Sequence, residues 1–280
     1  MDEAGEWSLE LSTMLSVPED ADRRPEMPAA GRAPGSVGFC DEGVVSPRHA
    51  VPMLQSLRDQ GSHIGEELRL LAAKVQDLRR ERGIGCIAVT STMPAEGKST
   101  ISVGLAGALA REPGRRILLI EADLRQPSLT PSMGLPPSSG LIEWLNGAIE
   151  YASVRLVEPG GFFLMVSGQA SLERPELLGS TRMDNLLRAA RGLFDFVILD
   201  TTPVLSVADV VLIQDLVDGF LLVVRSRQTS RGALRDALSR LRPDRVLGVV
   251  LNDHREVRPA YASRAYGYGY GAKPGGRARR

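Results

Sequence analysis

Between residues 86 and 251 the sequence alternates short, β-rich apolar runs with amphipathic segments. This alternation restricts the fold strongly, because strands that are separated by helices pair in parallel and bury both faces of one sheet. The runs lie at residues 86–90, 116–120, 162–166, 194–199, 219–224 and 246–251. Right-handed crossovers between them predict an α/β, doubly wound fold with a mostly parallel sheet.

Helical periodicity appears before and between these runs. Apolar residues recur every three or four positions from Ile64 to Leu78, and Gly83 ends the pattern. Further helices are predicted after the first and fifth runs, one ending before Pro113 and the other before Pro243. Helices of this kind cover the faces of a parallel sheet and supply the crossovers.

Composition divides the chain into three parts. Residues 1–60 are rich in Pro, Gly, Glu, Asp and Ala without a sustained period, which predicts a disordered N-terminal arm. The ordered domain is predicted over residues 61–255, and residues 256–280 form a flexible Tyr- and Gly-rich basic tail. A chain of 280 residues, 43% of them apolar, is long enough for one such core.

Several classes of protein fit this composition poorly. The formal net charge of +0 predicts no nucleic-acid partner. The cysteines, Cys40 and Cys86, have no disulfide or metal-site spacing, which favours a reducing compartment. No apolar stretch reaches the ~18 residues of a membrane span, and the acidic start is unlike a signal peptide. We therefore expect a cytoplasmic protein.

A phosphate-binding loop is predicted where the first run passes into a helix. Backbone N–H groups and the positive helix terminus would face the anion, Lys98 would reach the β and γ phosphates, and the Ser99 hydroxyl would bind Mg2+. Thr92 stands where the usual pattern opens with Gly, so the alternative is a chance Gly-Lys-Ser-Thr sequence. The strand and helix on either side favour the phosphate site. Its predicted residues are Met93, Pro94, Ala95, Glu96, Gly97, Lys98, Ser99 and Thr100.

Acidic residues follow two of the apolar runs. Asp200 ends the run 194–199, and Glu121 ends the run 116–120 shortly before Asp123 and Arg125. A carboxylate at the tip of a strand beside a phosphate loop holds Mg2+, often through water. The alternative for the second group is a helix cap or a solvated turn.

With these residues in view, the chain resembles the bacterial tyrosine kinases, P-loop autokinases that control capsule and exopolysaccharide synthesis. The similarity covers about residues 64–270. It rests on residues 93–100 as Walker A, residues 121–125 as the additional Walker A′ element and residues 200–203 as Walker B. Segments 175–178, 216–219, 229–231 and 246–252 are also similar.

The resemblance implies a set of cofactors and site residues. ATP and Mg2+ are the implied cofactors, with the phosphates on Lys98, Ser99 and Thr100 and adenine near Asn252. The implied metal-binding residues are Ser99, Glu121, Asp123 and Asp200. The implied catalytic residues are Lys98, Glu121, Asp123, Arg125 and Asp200.

The resemblance also implies a substrate and partners. The implied phosphate acceptors are Tyr261, Tyr266, Tyr268 and Tyr270, which would enter a neighbouring subunit's site within a homo-oligomeric ring. A membrane chain-length determinant, or polysaccharide co-polymerase, would activate the kinase and recruit it to the inner face of the membrane. A phosphotyrosine phosphatase would reverse the modification. The alternative for the tyrosines is an aromatic, adhesive tail.

Departures from the family pattern keep other functions open. Glu121 stands where the family has Asp, Ala95 replaces a usual glycine, and Thr202 replaces a usual proline. A Glu-x-x-Arg-x-x-Arg pattern begins at Glu66 but ends at Ala72. One alternative is a regulatory ATP-binding module of the same pathway with weak or no kinase activity. A Min/Par-type ATPase is another, although the loop lacks that class's signature lysine.

Overall fold

The computed structural model describes residues 37–47, 52–59, 62–169 and 175–253. Within these ranges one sheet contains the strands β1 (Phe39–Val45), β2 (Cys86–Ser91), β3 (Ile117–Glu121), β4 (Ala152–Val157), β5 (Phe162–Met165), β6 (Phe196–Asp200), β7 (Gly219–Arg225) and β8 (Val246–Asn252). Their order across the sheet is β1-β4-β5-β3-β6-β2-β7-β8. Every neighbouring pair is parallel except β4 and β5. The predicted doubly wound α/β fold is confirmed.

Helices pack on both faces of this sheet. They are α1 (Pro52–Arg58), α2 (His63–Arg82), α3 (Lys98–Leu109), α4 (Leu129–Ser132), α5 (Leu141–Leu145), α6 (Thr181–Leu193), α7 (Asp209–Leu212) and α8 (Arg231–Arg240). Leu57, Val75 and Leu105 belong to the apolar core on one face. Leu187 and Ala237 belong to the core on the other face. The central strands are buried on both sides, which explains their almost uninterrupted apolar sequence.

The predicted helices are present, and local capping sets their ends. Helix α2 begins at Ser62, whose hydroxyl accepts from the N–H of Gly65 at 3.2 Å, and ends at Gly83 in the left-handed conformation with φ 73°. Helix α8 begins at Ser230, whose hydroxyl accepts from the N–H of Ala233 at 3.1 Å. No described helix is long and apolar enough to cross a membrane.

Strand β4, helix α6 and the short helices α4, α5 and α7 were not predicted. Strand β4 pairs antiparallel with β5 at one side of the sheet, so it breaks the strand–helix alternation on which the prediction relied. Helix α6 buries Met183, Leu187 and Ala190, and the hydroxyl of Ser180 caps it. Its apolar spacing and its N-cap serine are visible in the sequence and were a usable signal.

The prediction of a disordered arm over residues 1–60 is wrong for two segments. Strand β1 adds to the sheet by parallel pairing with β4, and the Phe39 ring meets the Phe194 ring edge-on at 5.7 Å. Helix α1 buries Leu54 and Leu57. Both segments are too short to show a sustained period, and the partner strand of β1 lies far along the chain.

Helix α1 is fastened to α2 and α3 by backbone contacts. The carbonyl of Leu57 accepts from the guanidinium groups of Arg69 at 3.4 Å and Arg111 at 2.9 Å. A Cβ atom on Gly65 would overlap with the carbonyl oxygen of Ser56, so α1 and α2 approach closely only because residue 65 is glycine.

Replacing Gly65 with Ala should therefore push α1 away and lower the free energy of unfolding by about 1–3 kcal/mol. Urea unfolding measures the change. Gly192→Ala is the matched control, because Gly192 also lies in a helix but a Cβ there meets no atom within 4 Å. The free energy of unfolding of the control should rise by up to about 1 kcal/mol, because Ala favours a helix more than Gly does. An equal change in the two variants would contradict the close packing of α1 on α2.

Candidate nucleotide site

The predicted phosphate loop lies at the edge of the sheet where the parallel strands end. Strand β2 ends at Ser91, and helix α3 begins at Lys98, so the loop joins them as predicted. On the adjacent strand β6, Asp200 is the register partner of Val89 on β2 and of Glu121 on β3. Both predicted acidic strand ends therefore meet the loop at one edge.

The loop backbone takes the left-handed conformation twice. Ala95 has φ 63° and Gly97 has φ 96°. Gly97 is the N-cap of α3 and has no side chain to accept from the first N–H groups of that helix, which leaves them for a ligand. The alanine at position 95 carries a backbone cost of roughly 1–2 kcal/mol that glycine would avoid. The alanine in place of glycine at position 95 therefore adds backbone strain.

Residues from β7, β8 and the segment between β7 and α8 brace the loop. The buried carboxylate of Glu96 accepts from the N–H of Met93 at 2.9 Å and from the hydroxyl of Thr229. The side-chain amide of Asn252 donates to the Glu96 carbonyl at 2.9 Å, and Arg225 donates to the Ala95 carbonyl at 3.3 Å. The structure thus places Asn252 at the loop, and its predicted position near the adenine stays a prediction. Sequence reasoning assigned no role to Arg225 or Thr229.

Lys98 lies among the acidic groups of the site. Its ammonium nitrogen is 3.0 Å from the Asp123 carboxylate, 3.7 Å from that of Asp200 and 3.2 Å from the Ser99 hydroxyl. Ser102 donates to Asp200 Oδ1 at 3.2 Å. The predicted neighbourhood of Lys98, Ser99, Asp123 and Asp200 is therefore present.

Asp200 is fully buried, and its two oxygens differ. Burial raises the pKa of this carboxyl to about 6, although the nearby Lys98 ammonium lowers it. Oδ2 has no hydrogen-bond partner among the described atoms. A buried carboxylate oxygen without a donor is costly, and such groups are concentrated at functional sites.

Glu121 has a different environment from the one that the metal-site prediction requires. Its buried carboxylate accepts from the N–H of Leu129 at 2.6 Å, the N–H and hydroxyl of Thr130 at 3.3 and 2.7 Å, and the N–H of Ser167 at 3.1 Å. Both oxygens are used, and no ion pair between described residues joins Glu121 to Lys98. This geometry favours the alternative, a helix cap, over a metal-binding and catalytic role.

Arg125 is also engaged by the protein. It makes a bidentate contact with the buried carboxylate of Asp209, at 2.8 and 3.2 Å. The hydrogen bond that Arg125 donates to Asp209 is the main cause of the raised pKa of Arg125. No local pattern pointed to Asp209, because it lies far along the chain from Arg125. A catalytic role of Arg125 stays a prediction.

The residues present fit a Mg-nucleotide, in which phosphate oxygens supply some of the metal ligands. No group of three or more His, Cys, Asp or Glu side chains in the described part of the chain is able to hold a metal ion. Mg2+, however, uses one or two carboxylates together with phosphate oxygens and waters. Asp123, Asp200 and the Ser99 hydroxyl meet that need. Asp200 Oδ2 accepts no hydrogen bond from the described residues and lies 3.7 Å from Lys98 Nζ, so it is a position for such an interaction.

Other predicted residues have less distinctive surroundings. Met93, Pro94 and Thr100 are exposed at the loop and the first turn of α3. The buried hydroxyls of Thr92 and Thr202 have no hydrogen-bond partner among the described residues. The four predicted acceptor tyrosines lie outside the described residues.

The buried charge of Asp200 leads to a prediction about stability. The pKa of Asp200 is raised to about 6 in the folded protein. Its contribution to the free energy of unfolding is therefore fully present below about pH 4 and is lost as the pH rises through about 6. Asp200→Asn should therefore raise the melting temperature of the nucleotide-free protein at pH 7.5 and flatten its pH dependence between pH 4 and 6. Differential scanning calorimetry measures both effects. Asp236→Asn, at an exposed position of α8, is the control, and an unchanged pH profile in Asp200→Asn would contradict the assigned environment.

Comparison with known proteins agrees with this site. Residues 87–264 match the CobQ/CobB/MinD/ParA nucleotide binding domain. The succinoglycan biosynthesis transport protein ExoP of Rhizobium meliloti is 38% identical over 59% of this chain, which corresponds to 22% of ExoP. The tyrosine-protein kinase YwqD of Bacillus subtilis is 31% identical over 74% of this chain and 86% of YwqD. This chain thus spans less than a third of ExoP but most of YwqD.

A solved structure shows the same architecture. The kinase domain of the Escherichia coli tyrosine kinase ETK superposes with a TM-score of 0.66 at 26% identity, over 78% of this chain and 84% of that domain. The shared fold and the sequence identity to YwqD point in the same direction. The chain belongs to the CobQ/CobB/MinD/ParA nucleotide-binding family and, within it, to the bacterial tyrosine-protein kinases.

Proposed function

We propose that this chain is an ATP-dependent protein tyrosine autokinase that regulates exopolysaccharide or capsule synthesis and export. The observation that carries the proposal is the position of Lys98. Its ammonium group lies between the carboxylates of Asp123 and Asp200 and beside the Ser99 hydroxyl, at the open amino end of α3. This is the arrangement of charges that phosphoryl transfer requires.

Different residues of the site would bind the phosphates, the Mg2+ ion and the adenine. The N–H groups at the start of α3 would hold the phosphate oxygens, and Lys98 would turn from its carboxylate partners to the β and γ phosphates. A Mg2+ ion held at this site would offset the negative charge of the phosphates. Ser99, Asp123 and Asp200 would hold that ion. Asn252 already contacts the loop and would lie near the adenine.

Asp123 is the better candidate for orienting the acceptor hydroxyl. One of its oxygens accepts from the N–H of Gln126 at 3.0 Å, and the other meets Lys98. Once Lys98 turns to the phosphates, the second oxygen is released to accept from a tyrosine hydroxyl. Glu121 has no oxygen to spare for this role. Arg125, held by Asp209, would act by charge near Asp123.

The acceptors and partners complete the proposal. The tyrosines of the tail would enter the site of a neighbouring subunit in a homo-oligomer. A membrane chain-length determinant or polysaccharide co-polymerase would serve as activator and recruit the kinase to the inner face of the membrane, and a phosphotyrosine phosphatase would reverse the reaction. ExoP, a biosynthesis transport protein much longer than this chain, supports a link to polysaccharide export.

A regulatory ATP-binding module with weak or no kinase activity is the second candidate. Two contacts favour it: Glu121 is occupied by backbone donors, and Arg125 is neutralised by Asp209. Both candidates require nucleotide binding, and they differ only in phosphate transfer. A phosphotyrosine assay of the purified protein with Mg-ATP, alone and with the cytoplasmic segment of a co-polymerase, separates them.

Lys98→Met should weaken ATP binding or abolish transfer while the fold is retained, because it removes the charge that would contact the phosphates. A loss of at least tenfold in ATP affinity or in autophosphorylation rate is expected, measured by calorimetry and by phosphotyrosine blotting. Lys74→Met, at an exposed position of α2, is the control. Wild-type affinity and activity in Lys98→Met would remove the basis for the phosphate site.

Replacing the tail tyrosines with Phe should remove phosphotyrosine and leave ATP affinity unchanged, because the residues described at the nucleotide site all precede the tail in the sequence. Mass spectrometry of the active protein measures the modification. Tyr151→Phe is the matched control and should keep the signal. Phosphate found only elsewhere, or none with any activating partner, would favour the regulatory module. The tail residues to replace together are Tyr261, Tyr266, Tyr268 and Tyr270.

A further inference from the structure

The start of helix α4 touches the nucleotide site through a residue to which no role has been assigned. We propose that Ser128 is a positioning residue for Ser99, and that the buried carboxylate of Glu121 makes this possible by capping α4 in place of Ser128. The inference rests on the proposed Mg-nucleotide site. It assigns a function to Glu121 that differs from metal binding.

Ser128 is the N-cap residue of α4, yet its side chain does not cap the helix. An N-cap serine normally accepts from an N–H group of its own first turn. Here Ser128 makes no such bond. The N–H groups of Leu129 and Thr130 donate instead to Oε1 of Glu121, at 2.6 and 3.3 Å. Glu121, the last residue of β3, therefore caps α4.

The hydroxyl that is released in this way contacts the phosphate loop. Ser128 Oγ lies 2.7 Å from Ser99 Oγ, which also lies 3.2 Å from the Lys98 ammonium and interacts with the Asp200 carboxylate. Lys98 is only a donor, and Asp200 would face the bound metal, so Ser128 is the acceptor left for the Ser99 proton. When the Ser99 oxygen binds a metal, its proton must point away from that metal, and Ser128 Oγ is the acceptor in place to take it. Such outer contacts orient metal ligands.

Glu121 holds Ser128, the acceptor, in position because its carboxylate links three segments of the chain. Its oxygens connect β3 to the start of α4 and, through the N–H of Ser167, to the residues that follow β5. The carboxylate is buried, and its several donors stabilise its charge. Loss of Glu121 should allow Ser128 to return to its own helix as the cap, and Ser99 would then lose its partner.

The first test is Ser128→Ala in the full chain, with a fluorescent ATP analogue as the probe and MgCl2 as the titrant. The Mg2+ concentration for half-maximal nucleotide binding should rise roughly tenfold. The melting temperature and the Mg-free nucleotide affinity should stay at wild-type values, because Glu121 still caps α4. Ser128→Thr should restore the Mg2+ midpoint. Ser132→Ala, in the same helix but bonded to the Leu129 carbonyl, is the matched control.

The second test adds Glu121→Gln, alone and with Ser128→Ala. The single variant should raise the Mg2+ midpoint and also lower the melting temperature. In the double variant the Mg2+ midpoint should be no higher than in the more affected single variant, because both changes remove the same contact. A midpoint within twofold of wild type in Ser128→Ala, or shifts that multiply in the double variant, would overturn the inference.

The wild-type titration separates this inference from the proposed function. If wild-type protein binds the analogue with an Mg2+ dependence that Ser128→Ala does not change, only the role of Ser128 is overturned. If wild-type protein shows no Mg-dependent nucleotide binding, the proposed function and this inference both fail.

Discussion

The parallel, in-register pairing of β2, β6 and β3 is the constraint on which the site depends. Parallel strands end at the same edge of a sheet, so pairing of Val89 with Asp200 and of Asp200 with Glu121 brings the loop and both acidic strand ends together. A slip of one residue would turn Asp200 to the opposite face of the sheet. The buried apolar residues of these strands therefore fix the position of Asp200 relative to Lys98.

The two buried carboxylates at this edge show how environment decides the role of a residue. Glu121 is surrounded by N–H and hydroxyl donors, and its charge is satisfied within the protein. Asp200 Oδ1 accepts from the Ser102 hydroxyl, whereas Oδ2 accepts no hydrogen bond from the described residues and lies 3.7 Å from Lys98 Nζ, and burial raises the pKa of the carboxyl. A folded protein retains such an incompletely satisfied group when a ligand completes it. We therefore propose that Glu121 has a structural role and that Asp200 interacts with the bound ligand.

Bracing of the phosphate loop comes from β7, which is the neighbour of β2, and from β8 beside it. Glu96 is held by Thr229, and Asn252 and Arg225 hold the backbone around it. These contacts offset the strain of the left-handed Ala95 and keep the first N–H groups of α3 directed at the ligand position. A site on a braced loop is organised before its ligand arrives, so less entropy is lost on binding.

The sequence by itself determined the fold class, the phosphate loop and the acidic strand ends, because apolar runs and the order strand, loop, helix are local patterns. It did not reveal β1, whose partner β4 lies far along the chain, nor β4 and α1, which are short and carry no sustained period. Only the tertiary structure separated Asp200 from Glu121, joined Arg125 to Asp209 and placed Ser128 against Ser99. The physical reason is that burial and hydrogen-bond partners are set by segments that meet only on folding.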